Sequence, residues 1–131
     1  HSTARMVELV AELKKNHPAI VDPVLDAIEG VSMSAIHHLN NPRELGRYMN
    51  MNHALLEVLG VGHPQLAKMV LAARNAGAFG AKITGAGGGG CMVALCPTPI
   101  KHRIASVIEA CEARAIVTAI DTEGVRKEKN V

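Results

Sequence analysis

Lys82-Ile-Thr-Gly-Ala-Gly-Gly-Gly-Gly-Cys91 is the segment of this sequence whose composition asks for a functional explanation. Consecutive glycines lose much backbone entropy when they are ordered, so a fixed loop of this kind needs compensating close contacts. Lacking Cβ atoms, its peptide N–H groups can converge on an anion or on another backbone. The flanks Ala81–Ile83 and Cys91–Leu95 are short apolar runs, so the region reads as strand, loop, strand. Gly85, Gly87 and Gly90 formally match the dinucleotide fingerprint G-x-G-x-x-G, but that motif opens a helix and Cys91–Leu95 reads as a strand. A P-loop ends in Lys and Ser or Thr, where this sequence has Cys91-Met92. A hairpin tip without a ligand is the third reading. Such tips are usually polar and laced with serine, whereas apolar strands grip this one, so the ligand-bearing reading is favoured.

Upstream of the loop the chain reads as helices separated by clear punctuation. Met6, Val10 and Leu13 recur at helical spacing, and Asn16-His17-Pro18 ends that helix. Asp22-Pro23 offers an N-cap and a proline at the first helical position of a second helix. Leu25, Ile28, Ile36 and Leu39 stripe it, and Asn40-Asn41-Pro42 terminates it. Asn41 then caps a third helix with Glu44 in capping-box position. Leu45, Met49, Leu55, Leu56 and Leu59 line that helix, and Gly60 suits a left-handed C′ site. His63-Pro64 opens a fourth helix, which carries Leu66, Val70 and Ala73 and stops near Gly77. Downstream, Ile104, Val107, Ile108 and Cys111 form another helical stripe, and Ala115–Ile120 is expected to be a β-branched strand. The charged tail at 126–129 is expected to fray. The order predicts one α+β domain over 1–131, with a helical region at about 1–77 and a strand–loop–strand–helix–strand region at about 80–126.

Composition narrows the function classes. At 131 residues the chain fits one domain, and 48% hydrophobic with 20% charged residues is a globular mix. A net charge of +2 is too small for a nucleic-acid footprint, and one Phe, one Tyr and no Trp leave no base-stacking platform. No apolar run is long enough to span a bilayer, and no signal peptide opens the sequence. Cys91, Cys96 and Cys111 lack metal-ligand spacing and read as reduced, buried thiols of a cytoplasmic protein. The seven histidines include no pair four apart, so no metal site is expected. No Asp or Glu is near the glycine loop in sequence, and Lys82 is its one close cation. Phosphoryl transfer to an alcohol needs a group to orient the hydroxyl and charge to hold phosphates. Such groups would come from helices folded over the loop or from a partner lobe.

Gly80-Ala-Lys-Ile-Thr-Gly-Ala-Gly-Gly-Gly-Gly-Cys91 resembles the third motif of the GHMP small-molecule kinases. Met51-Asn52-His53-Ala54-Leu55-Leu56, followed by Leu59-Gly60-Val61-Gly62, resembles the preceding helix and turn in the mevalonate kinase family. Ser2-Thr3-Ala4-Arg5-Met6-Val7 is similar to the start of that family's carboxyl-terminal helical region. The resemblance implies the GHMP kinase C-terminal fold, with helices on a small antiparallel ferredoxin-like sheet whose first strand is missing here. It implies an enzyme that uses ATP and Mg²⁺ to phosphorylate mevalonate in isoprenoid synthesis, homodimeric when intact. It places Thr84, Gly85, Ala86, Gly87, Gly88, Gly89 and Gly90 beside the phosphate loop and substrate, with Thr3 also near the site. The family's phosphate loop, lysine and catalytic aspartate belong to an N-terminal domain absent from this sequence. No catalytic residue is therefore expected in these residues, and the chain alone should be inactive. The alternatives are another GHMP kinase, such as a phosphomevalonate kinase or a galactokinase-like enzyme, and a stand-alone module that binds a phosphorylated ligand.

Overall fold

Proline sets the start of three of the helices. The computed structural model describes residues 3–126. Helix α1 spans Thr3–Asn16, α2 Pro18–Ile36, α3 Pro42–Val58 and α4 Pro64–Asn75. The first residue of α2, α3 and α4 is a proline, whose missing N–H has no intrahelical partner to lose there. Strands β1 (Gly80–Thr84) and β2 (Cys91–Leu95) flank the glycine loop, and a 3-10 turn at Thr98–Ile100 leads into α5 (Lys101–Glu109). The strands pair antiparallel, Gly80 opposite Leu95 and Thr84 opposite Cys91. Helices packed on a small antiparallel sheet make the expected α+β class. No helix among the described residues is long and apolar enough to cross a membrane.

The caps follow the sequence with two differences. Asn41 Oδ1 accepts from the Glu44 N–H at 3.3 Å, but the Glu44 carboxylate turns to Arg47 at 2.9 Å, so only half of the capping box forms. Gly60 takes the left-handed C′ position at φ 77°. Helix α2 begins at Pro18 rather than at Asp22-Pro23, and Pro23 lies inside it. Asp22 pairs with Lys14 of α1 at 3.0 Å instead of capping. An internal proline costs a hydrogen bond, but an earlier start keeps Val21 helical and buried at 1% exposure.

Two apolar clusters lie under the inner face of the hairpin. Met6, Val61, Leu66, Met69, Ile83 and Cys111 form one, and Val70, Ala73, Ala76, Ala81 and Ile104 form the other. Helix α4 supplies both, so it joins the α1 side of the molecule to α5. Each buried Leu, Ile or Val contributes about 1.5–3 kcal/mol relative to exposure. Helix α3 lies against β1 backbone to backbone. A Cβ on Gly46 would overlap the Phe79 carbonyl, and one on Gly80 would overlap Gly46.

The expected strand at Ala115–Ile120 is not formed. Residues 113–121 form neither helix nor strand, and Ile116 and Ile120 are about four-fifths exposed, at 76% and 81%. A strand is defined by its partner, and β-branched composition supplies none.

Candidate functional site

The site is built from its base upward, beginning at the outer edge of β1. An open strand edge presents unpaired N–H and C=O groups. Here side chains occupy those groups, because the Gly46–Gly80 contact brings α3 within reach. Asn50 Oδ1 accepts from the Ala81 N–H at 3.0 Å, and its amide donates to Phe79 O at 3.4 Å. His53 Nδ1 accepts from the Ile83 N–H at 3.3 Å. Arg74 of α4 donates to Ala81 O at 2.6 Å, and Lys82 Nζ donates to Ile83 O at 2.8 Å. Asn50 and His53 are three apart, which puts both on one face of α3. Together they stand in for a neighbouring strand.

These side chains gather charge at the loop's entry. Because His53 Nδ1 accepts a hydrogen bond, the neutral ring carries its proton on Nε2, which faces Glu57 Oε1 at 3.4 Å. Burial pushes the His53 pKa down. Glu57 opposes that shift, while Arg74 and Lys82 reinforce it. Burial likewise lowers the pKa of Lys82 and of Arg74. Lys82 does not reach toward the loop tip; it folds back on its own strand and lines a groove between α2 and α3 with Tyr48 and Asn52.

The loop itself has a fixed back and an open front. Gly85, Gly87, Gly88, Gly89 and Gly90 all have positive φ, from 68° to 141°. L side chains rarely adopt that region, which is the physical reason for the glycine run. Gly87 and Gly88 are buried. The Gly88 N–H donates to Val61 O at 2.8 Å, and a Cβ on Gly87 would overlap that carbonyl. Around Gly85, Gly89 and Gly90 a Cβ would meet nothing within 4 Å. That open side leaves room for an anion or a second backbone to approach the peptide groups.

The remaining sequence-predicted residues fall into place around this frame. Thr84 ends β1 and is exposed opposite Cys91, which is itself exposed at the start of β2 rather than buried; Cys96 is half-buried, and of the three thiols Cys111 alone is buried. Ala86 points back, half-buried against the cluster of Met6, Val61 and Ile83. Thr3 is exposed at the start of α1, one turn before Met6, which packs in that same cluster. Ser2 lies outside the described residues, as do positions 127–129 of the charged tail.

Sequence reasoning named no role for Asn50, His53, Glu57, Val61 or Arg74. His53 and Val61 lie within the family-like helix and turn, and the spacing of Asn50 and His53 on one helix face is the only other signal. Among the described residues no group of three or more His, Cys, Asp or Glu is placed to hold a metal ion.

Comparison with known proteins adds an independent line. The family model "GHMP kinases C terminal" matches residues 32–115. The chain is 42% identical over 137 residues to a mevalonate kinase of Thermococcus sibiricus, covering 97% of this chain and 41% of that protein. It is 48% identical over 97 residues to one from Methanothermobacter thermautotrophicus, covering 72% of this chain and 32% of that protein. The crystal structure of L. major mevalonate kinase in complex with R-mevalonate superposes with a TM-score of 0.81 at 31% identity, covering 84% of this chain and 35% of the other. The chain thus spans about two-fifths of the length of the Thermococcus sibiricus protein, 41%, and about a third of the Methanothermobacter thermautotrophicus one, 32%.

Proposed function

From the premise that the chain belongs to the GHMP kinase family, through that family's C-terminal domain, we propose that it forms one half of a mevalonate kinase active site. The intact protein would phosphorylate mevalonate to 5-phosphomevalonate with ATP. The observation that carries this reading is the glycine loop, fixed at its back on Val61 and open at Gly85, Gly89 and Gly90. The relatives named mevalonate kinase support the choice of substrate.

In the proposed reaction the mevalonate hydroxyl oxygen attacks the γ-phosphorus, the bond to the β,γ-bridging oxygen breaks, and the hydroxyl proton is lost. Catalysis of such a transfer is mostly positioning and charge stabilisation. The open glycines let backbone N–H groups approach phosphate or substrate oxygens without side-chain obstruction. Mg²⁺, when bound, neutralises phosphate charge. The proton acceptor and the remaining phosphate contacts would belong to an N-terminal domain. This completes the expected partners: mevalonate, that domain and a second copy in a homodimer.

ADP release with mevalonate, ATP and Mg²⁺ tests the reading. The full-length protein should turn over mevalonate, and the isolated 131-residue chain should not. Preference of the full-length protein for phosphomevalonate or galactose would move it to another branch of the family. Turnover by the chain alone that survives repurification and disappears in Gly87→Val would show that this domain is self-sufficient.

A further inference from the structure

The outer edge of β1 is closed by two side chains of α3 that differ in what lies above them. Asn50 bonds Phe79 and Ala81, at the start of the strand, away from the loop. His53 bonds Ile83, the penultimate residue before the glycine loop, which leads on through Thr84 to Gly85. The His53 ring is 3% exposed and is oriented from its other nitrogen by Glu57, itself half-exposed. A Cβ on Gly62 would stand 3.4 Å from Glu57 Cγ, so Glu57 borders the turn whose Val61 carbonyl holds Gly88. One carboxylate–imidazole pair therefore adjoins both fixed points of the loop, its entry strand and its back.

We propose that His53, oriented by Glu57, is a positioning residue that sets where the glycine loop begins and so aligns its open front for phosphoryl transfer. The role in transfer rests on the kinase reading above; the role in holding the loop does not. An imidazole held at both nitrogens has its ring angle as well as its distance fixed. A misplacement on the order of 1 Å in the loop would cost roughly 100-fold in turnover.

The test compares three variants of the full-length protein. His53→Leu removes the acceptor for the Ile83 N–H, His53→Asn can restore an acceptor near the Nδ1 position, and Asn50→Leu removes the comparable bonds away from the loop. If the proposal holds, His53→Leu lowers kcat by roughly 10- to 100-fold, with a smaller change in KM for mevalonate. His53→Asn recovers most of that loss. Asn50→Leu lowers thermal stability while the folded enzyme keeps its kcat. In hydrogen exchange, His53→Leu should expose amides 84–90 roughly tenfold faster than Asn50→Leu. Equal kcat in His53→Leu and wild type, both folded, overturns the proposal, as does an equal loss in both Leu variants. If the wild-type protein shows no mevalonate-dependent turnover, the kinase reading fails by itself. The exchange comparison then decides the positioning role: faster exchange confined to 84–90 supports it, and unchanged exchange sinks it.

Discussion

The back and the front of one short loop are both glycine, for different reasons. At the back, Gly87 is buried against Val61 O, so a side chain is excluded by space as well as by φ. At the front, Gly85, Gly89 and Gly90 have open surroundings, and only their positive φ disfavours a side chain. Crowding marks the part of the loop the fold needs. Emptiness marks the part left open to approach, which the proposed function assigns to phosphate or substrate.

Four measurements would break or sharpen that contrast. The largest effect is expected for Gly87→Val. Overlap with a backbone carbonyl, added to a left-handed φ, should cost about 3–5 kcal/mol and lower both stability and activity in thermal melts and turnover assays. A melting temperature near wild type would mean that the back of the loop yields. Gly89→Ala should separate the two properties: a stability loss of about 1–2 kcal/mol from its φ of 141°, beside a fall in turnover of roughly 100-fold. Parallel losses would instead make the front as structural as the back.

The third measurement is acid titration of stability. The folded-state pKa of His53 lies below its ordinary 6.5, chiefly through burial, with Arg74 and Lys82 adding to the shift and Glu57 opposing it. The unfolded chain therefore binds this proton first. The contribution is fully present above about pH 6.5 and is lost as pH falls from there through the lowered folded value. Denaturant midpoints measured from pH 7.5 downward should fall more in wild type than in His53→Asn; matching curves would remove His53 from the account. The smallest effect is expected for Gly85→Ala, where φ is 74° and space is open. Left-handed alanine should cost about 1–2 kcal/mol, with near-normal KM for ATP. A near-normal KM would confine ligand contact within the open front to Gly89 and Gly90, and a large increase would include Gly85 in it.

Most of the helical frame was legible because its signals are local. Asn41, Gly60, His63 and Pro64 act within a turn of their own positions, and each lies where a helix begins or ends. The start of α2 was misplaced because Asp22-Pro23 is a valid local cap, yet Lys14 across the α1–α2 junction takes the aspartate. Ala115–Ile120 was misread for the opposite reason. Its β-branched residues favour a strand, but pairing is non-local, and among the described residues 113–121 no partner lies alongside.

Residue order alone determined most of the helix boundaries set by proline and glycine, the strand–loop–strand hairpin, and the glycine composition that lets Gly85 and Gly87–Gly90 take positive φ. Those depend on steric limits within a few residues, which composition carries directly. Only tertiary structure decided which glycines face solvent and which face Val61, and which side chains close the edge of β1. Asn50 and His53 of α3 are separated from their strand partners by 31 and 30 positions. Hydrogen bonds of that separation exist only once α3 has settled on β1 through Gly46 and Gly80, because packing brings those groups within bonding distance.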